Sequence, residues 1–143
     1  MKPQFNNKLV AVLNEKIEPG NVMNALAHMC IGLGAELGAE MGKEALRPTR
    51  YVDADGGVHP FISEMPFMIL KANSNKIRGL RKAAEEEKIP FADFTDTMTV
   101  GSYLEQIEKT LKTKEDDLIF YGIVLFGNWD RVSELTKKFS LWK

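Results

Sequence analysis

The chain has 143 residues, which is most simply one domain with enough length to bury a substantial hydrophobic core. Apolar residues make up 44% and charged residues 27%, as is typical of a soluble globular protein. The formal net charge is −1, so no overall field attracts nucleic acid or a membrane surface, and any basic patch must be local.

The chain opens with a predicted strand and a long predicted helix. After a lead-in over residues 1–6, a strand over residues 8–14 contains the unbroken apolar run 9–13, which is typical of a strand buried on both faces. Pro19-Gly20 then ends the extended chain. From residue 21 to about 42, apolar residues recur three or four apart and predict one helical stripe, formed by Val22, Leu26, Met29, Leu33, Leu37 and Met41.

The turn between this strand and helix is the first candidate site. The N–H groups of a first helical turn lack partners, and the helix dipole is positive there, so such a turn attracts anions. We therefore expect a small polar or anionic ligand to bind around Gly20, Asn21 and Asn24.

The predicted helix carries small residues on one face, namely Cys30, Gly34, Gly38 and Gly42. Each internal Gly costs about 1 kcal/mol of helix stability relative to Ala, which close approach of another backbone would offset. That backbone belongs either to the same domain or to a second copy in a homodimer.

Residues 51–58, YVDADGGV, predict two short extended pieces around a Gly turn. Asp53 and Asp55, with Glu64 further on, superficially resemble a calcium-binding loop. The position of that loop that requires Gly is occupied here by Val58. We therefore predict a plain turn and no metal site.

The remaining segments alternate between strands and helices. The helix over residues 102–111 is expected to pack through Leu104, Ile107 and Leu111. The alternation predicts a three-layer α/β domain over residues 1–143, with a central mixed sheet of about four to five strands and helices on both faces. The strands are predicted at residues 66–71, 89–95 and 117–126, and the helices at residues 75–88, 102–111 and 130–139.

The predicted location is the cytoplasm. The single cysteine, Cys30, rules out an intrachain disulfide and fits a reducing compartment. The start MKPQFNNK lacks the apolar run of a signal peptide, and no run approaches the roughly 20 apolar residues of a membrane span.

Residues 18–28 read EPGNVMNALAH. This stretch is similar to the Met-x-x-Gly-Lys-Ile-Ala-Ala-Gln-x-x-His helix of the archaeal and eukaryotic (type II) peptidyl-tRNA hydrolases, and residues 68–71, 94–96 and 122–141 resemble later segments of that family in order. The chain resembles more closely a bacterial family with that fold known as the domain of unknown function DUF2000. That likeness rests on the segments DADGGVHP and PxxILKAN and on the helix that follows them.

The departures from the hydrolase motif weaken the case for peptidyl-tRNA hydrolase activity. The hydrolases place a Lys directly after the motif Gly and a Gln four residues later. The corresponding residues here are Asn21, which can donate a hydrogen bond without carrying charge, and Ala25, which can do neither. His28 and Asp96 match positions that the family retains. The near-zero charge also does not favour tRNA as a partner, since tRNA binding normally leaves a basic footprint.

Two functions remain open at this point. One is a binding or regulatory module for a small polar or anionic ligand, with no cofactor. The other is a hydrolase of an ester or amide conjugate, with Asp96, His28 and Asn21 as catalytic residues. The alternative for His28 is a purely structural role, and the alternative for His59 is that it is only a loop residue. The candidate ligand-binding residues are Gly20, Asn21, Asn24, Thr97, Thr99 and His59.

Overall fold

A computed structural model describes residues 5–143; residues 1–4, part of the predicted lead-in, lie outside the described residues. The strands are β1 Asn7–Asn14, β2 Pro48–Val52, β3 Val58–Ser63, β4 Phe67–Ala72, β5 Phe91–Thr95, β6 Phe120–Asn128 and β7 Ser140–Leu141. The helices are α1 Pro19–Met41, α2 Ser74–Glu86, α3 Tyr103–Leu111 and α4 Trp129–Thr136.

Within residues 5–143 the central sheet has five strands in the order β5-β6-β1-β4-β7, while β2 and β3 form a separate hairpin. β1 pairs with β4 in parallel and with β6 in antiparallel fashion, and β5 also runs antiparallel to β6. The predicted α/β class with a mixed sheet is therefore confirmed. Because β1, β4 and β5 point the same way, their carboxyl ends meet at one edge of the sheet.

The apolar run of β1 is buried on both faces, as predicted. Leu9, Ala11 and Leu13 pack toward α1, whereas Val10 and Val12 pack toward α2 and α4. This division follows from the two-residue period of a strand. Helices therefore cover both faces of the sheet.

Helix α1 covers only part of its face of the sheet. Val22, Met29, Leu33 and Leu37 of the predicted stripe are buried, but Ala25 is buried in place of Leu26, which is only partly buried, and Met41 at the end of the helix is 54% exposed. By length and apolar composition its 23 residues could cross a membrane, which corrects the expectation that no such segment exists. The core helix of a globular protein meets the same criteria, and α1 contacts β6, β5 and β1.

The small-residue face of α1 lies against a side chain rather than a backbone. A Cβ added to Gly34 would lie 3.5 Å from Leu46 Cδ1, and one added to Gly38 would meet nothing within 4 Å among the described residues. Gly42 has φ 90° and ends the helix. The homodimer contact predicted from this face remains a prediction.

Helix α3 does not pack as predicted. Leu104, Ile107 and Leu111 are 74%, 39% and 82% exposed, and none of the helix's residues is buried. Ser102 and Glu105 form a capping box that starts the helix. Its apolar face therefore forms without joining the core, and it borders an open cleft.

Candidate functional site

The cleft is a space of about 690 Å³ between α1, β5, the 3₁₀ turn Asp96–Met98 and α3. Its floor is apolar and comes from Met29, Ala92 and Phe94. Ile107 and Leu111 of α3 form the opposite wall, so the apolar face that fails to enter the core borders this space.

The polar groups of the cleft come mainly from α1 and α3. Asn24 and His28 lie four residues apart on α1, so they share a helix face, and Gln106 approaches from α3. Asp93 also lies at the border, but its carboxylate pairs with Arg81, at 3.2 Å from Oδ1 to Nε. The Asp93 carboxylate is thus already paired, and Asn24 and Gln106 contribute uncharged amide groups beside the His28 imidazole.

An aromatic row continues from the cleft toward the sheet edge. The rings of His28 and Phe94 have centroids 6.2 Å apart, and those of Phe94 and Tyr121 are 5.9 Å apart. Phe94 pairs with Gly122 and Thr95 pairs with Phe120, so Tyr121 is an extra residue in β6. Because of this β-bulge, Tyr121 packs against the apolar residues between the sheet and α1, whereas Phe120 packs on the opposite face of the sheet.

Helix α3 is attached to β5 through hydroxyl groups. Thr97 Oγ1 lies 2.8 Å from Thr95 Oγ1 and accepts a 2.8 Å hydrogen bond from Thr110 Oγ1. Thr97 is only 1% exposed, so it supports the cleft from beneath and does not line it. Thr99, in contrast, is exposed at the border, where its hydroxyl donates to the Asp96 carbonyl at 2.7 Å.

The carboxylate of Asp96 is hydrogen-bonded to the backbone of a neighbouring segment of the same chain, at Ile119. Its Oδ1 accepts a 3.0 Å hydrogen bond from the Ile119 N–H, and its own N–H donates to the Ile119 carbonyl at 2.9 Å. Asp96 is absent from the lining of the cleft, and among residues 5–143 its side chain makes no hydrogen bond to His28 or Asn21. The predicted catalytic set is therefore not assembled in one place.

The turn into α1 offers few donors to an anion. Pro19 has no N–H, and the N–H groups of Asn21 and Val22 both donate to the Glu18 carbonyl, at 3.0 and 3.1 Å. Within residues 19–22, Gly20 supplies the remaining backbone donor. An anion site needs several converging donors, so the geometry moves the candidate site from this turn to Asn24 and His28.

His59 belongs to the β2–β3 hairpin, and its Nε2 lies 2.8 Å from Asp53 Oδ2. Hydrogen bonds from His59 and from the N–H groups of Gly57 and Asp55 lower the pKa of Asp53 below its usual value. The hairpin is not among the elements that line the cleft. The segment is the plain turn that the sequence predicts, and among residues 5–143 no group of three or more His, Cys, Asp or Glu is placed to hold a metal ion.

Cys30 is half-buried, and burial raises the pKa of its thiol. A raised pKa is the opposite of what an activated nucleophile requires. The carboxylates of Asp96 and Asp93 are already bound to other groups of the protein. The polar groups that remain available in the cleft are therefore hydrogen-bonding side chains and one imidazole. Such a set suits recognition better than bond cleavage.

Sequence reasoning missed the cleft itself and the side chains that line it, mainly Phe94, Gln106 and Ile107, and the bulge that places Tyr121 beside Phe94. An apolar face on α3 is visible in the sequence, but its period is the same whether the helix borders a core or an open space. Gly122 after Tyr121 is the one local signal of the bulge, because Gly in a strand often marks such a position.

Comparison with known proteins gives a family and a fold. The sequence model of a family described as "Protein of unknown function (DUF2000)" matches residues 7–143. The solved structure of a protein of unknown function from Agrobacterium tumefaciens strain C58 is similar, with a TM-score of 0.83 at 18% sequence identity, over 98% of this chain and 100% of that chain. That likeness shows a shared fold alone. No curated protein matches the chain in sequence.

Proposed function

The chain belongs to the DUF2000 family, and we propose that it is a binding module whose cleft holds a small neutral ligand with an apolar body and a hydrogen-bonding edge. The observation that carries the proposal is that the apolar face of α3 is exposed to water and borders a cleft of about 690 Å³. Ligand pockets typically measure about 300–1,000 Å³ and combine apolar walls with a few polar groups.

The ligand class follows from the groups that border the cleft. Met29, Ala92 and Phe94 offer an apolar floor, and Ile107 an apolar wall. Among residues 5–143, no Lys or Arg lines the cleft, so a carboxylate or phosphate would lose water without gaining a counter-charge from them. The amides of Asn24 and Gln106 can both donate and accept hydrogen bonds, which matches a neutral amide or carbonyl.

The binding proposal predicts that indole-3-acetamide, an apolar bicycle with one amide, binds with a dissociation constant on the order of 1 mM or tighter. NMR chemical shifts of the backbone amides measure this, and the largest changes are expected at Asn24, His28, Ala92 and Ile107. Ile107→Glu should weaken binding at least tenfold, because it places a charge in the apolar wall. Indole-3-acetate should bind more weakly than the amide.

The matched control for this variant is Leu104→Glu. Leu104 is on the same helix and is 74% exposed, but it does not line the cleft. Equal loss of binding in both variants, or shift changes confined to residues outside the cleft, would contradict the proposal.

Hydrolysis of an ester or amide conjugate is a second candidate, supported by the position of His28 beside Asn24 in the cleft. The sequence resemblance to type II peptidyl-tRNA hydrolases, and our inference that the sheet is related to theirs, point the same way. A histidine in a pocket can accept a proton. The missing Lys and Gln and the engaged Asp96 make this candidate the weaker one.

Hydrolysis of 4-nitrophenyl acetate separates the two candidates. We expect no turnover above the buffer rate, because the part of the chain that the structure describes places no activated nucleophile or unengaged carboxylate in the lining of the cleft. Turnover that is lost in His28→Gln and kept in His59→Gln would establish the hydrolase instead. His59 is the suitable control because it is an exposed histidine of the hairpin.

We also propose that the protein acts in the cytoplasm, away from membranes and tRNA. The support is its single half-buried cysteine, its net charge of −1 and the packing of α1 against the sheet. These properties fit a reducing compartment and a partner that is not strongly charged.

A further inference from the structure

Another cavity lies on the face of the sheet opposite α1, between α2 and α4, and has a volume of about 540 Å³. Its apolar walls come from Leu80 and Ala83 of α2, from Leu135 of α4 and from Phe139 just beyond that helix. Leu80 is only 4% exposed, and Leu135 and Phe139 pack partly against the core on this face. The walls of the cavity are therefore part of the hydrophobic core.

The wall that contains Phe139 is fixed on both sides. The Phe139 N–H donates to the Thr136 carbonyl at 3.1 Å, which closes a turn directly after α4. Two residues further on, Leu141 of β7 pairs with Leu70 of β4, so the end of the chain is held to the sheet. Backbone hydrogen bonds thus give this side of the cavity a defined position.

Gly79 keeps the space between the two helices open. It lies inside α2 and lines the cavity, and a Cβ at this position would meet nothing within 4 Å among the described residues. Its φ is not positive either, so neither close packing nor a left-handed backbone requires Gly here. Gly is a poor helix former, second only to Pro. What this Gly provides in return is room for an occupant.

The border of the cavity is positively charged. Lys76 of α2 and Lys137 and Lys138 beyond α4 all line it. Glu134 is the one acidic residue that lines it within residues 5–143, and its Oε1 pairs with Lys137 Nζ at 2.7 Å. Among the same residues, Lys76 and Lys138 form no ion pair. Two positive charges are therefore unopposed beside an apolar interior.

We propose that this cavity binds a small molecule that carries one carboxylate on an apolar body. The apolar walls remove the body from water, and the unopposed ammonium groups attract the carboxylate. Phosphate recognition commonly uses the planar fork of Arg, and within residues 5–143 no Arg lines the cavity. The volume lies inside the range of about 300–1,000 Å³ that is typical of ligand pockets.

This cavity is separate from the cleft between α1 and α3, and it has the opposite charge preference. The available polar groups of that cleft are hydrogen-bonding side chains and one imidazole, which suit a neutral ligand. The chain thus carries two sites on opposite faces of one sheet. Each can be tested, and each can fail, without the other.

NMR chemical shifts of the backbone amides test the proposal with 1-naphthaleneacetate. We expect a dissociation constant on the order of 1 mM or tighter, with the largest shift changes at Gly79, Leu135 and Phe139. 1-Naphthaleneacetamide has the same apolar body without the charge, and it should bind this cavity at least about threefold more weakly. Shift changes at Asn24 and His28 would instead report the cleft between α1 and α3.

The lysines are tested as a pair. Lys76→Gln combined with Lys138→Gln should weaken the binding of 1-naphthaleneacetate at least about fivefold, because both unopposed charges are removed. The matched control combines Lys82→Gln with Lys114→Gln, which removes the same charge from exposed residues that do not line the cavity. Raising the salt concentration from about 20 mM to about 500 mM should also weaken binding, because salt screens exposed charges.

Gly79→Leu tests the open space. Its side chain should fill the cavity and weaken binding at least about tenfold, while the midpoint of thermal unfolding rises because Leu is a better helix former than Gly. A raised midpoint shows that lost binding does not come from unfolding. Gly79→Ala is the matched control, since it should also raise the midpoint but leaves most of the space open.

Octanoate in place of 1-naphthaleneacetate distinguishes a fatty acid from a ring-bearing acid, and the tighter binder identifies the class of apolar body. No binding of either acid up to about 10 mM would overturn the proposal. Equal binding of the acid and its amide at this cavity, or equal weakening by the two lysine pairs, would do the same. Undiminished binding to Gly79→Leu, or a response to the acids confined to the cleft between α1 and α3, would also contradict it.

Discussion

Replacing Phe120 with Ala is expected to lower the free energy of unfolding by about 3–5 kcal/mol, the usual cost of removing a buried aromatic ring. Phe120 is 1% exposed and starts β6. Its ring lies 5.2 Å from the Arg78 guanidinium, and its carbonyl accepts a 2.9 Å hydrogen bond from buried Asn14. Urea unfolding at a fixed protein concentration measures the change, with an unchanged slope indicating a pure stability effect.

The matched control for this substitution is Phe91→Ala. Phe91 also lies under an arginine, with Arg81 5.3 Å from its ring centroid, but it is only half-buried. Its loss is expected to cost about 1–2 kcal/mol, in proportion to the smaller apolar area removed from water. Equal costs at the two positions would show that the base of β6 is not the better packed of the two sites.

Gly122→Ala is expected to destabilise the protein by about 1–3 kcal/mol through overpacking. A Cβ at this position would lie 2.8 Å from Leu13 Cδ2, 2.9 Å from Met29 Cε and 3.3 Å from the Val12 carbonyl oxygen. The two side chains can shift, but the backbone of β1 cannot easily do so. The midpoint of thermal unfolding should therefore fall.

Gly127→Ala tests the same change in the same strand. Its Cβ would lie 3.4 Å from Val132 Cγ2 and 3.5 Å from Ile89 Cγ2, which are ordinary contacts. This variant should be neutral or slightly more stable, since Ala restricts the unfolded chain. A larger loss at position 127 than at position 122 would refute the packing argument.

The elements with strong local patterns were predicted well. The apolar run of β1 and the stripe of α1 each depend on neighbours within about ten residues, so the sequence displays them directly. β7 escaped prediction because its two residues, Ser140 and Leu141, are too few to show a period. It forms because β4 offers an unpaired edge, with Leu70 opposite Leu141.

The candidate site was predicted only where helical spacing determines it. Asn24 and His28 share the cleft because residues four apart share a helix face. Asp96 was assigned to the site from the family resemblance, but its carboxylate accepts a hydrogen bond from the N–H of Ile119, just before β6. Contacts between residues 23 positions apart follow from the whole fold, and the sequence pattern does not display them.

The hydroxyl attachment of α3 has a consequence for motion. Because Thr95, Thr97 and Thr110 link this helix to β5 while its leucines stay in water, little hydrophobic free energy opposes its detachment. Segments with few buried apolar contacts open locally at low free energy, long before the whole protein unfolds. Helix α3 would then exchange its amide hydrogens faster than α1, and a ligand that bridged the two helices would slow that exchange by holding them together.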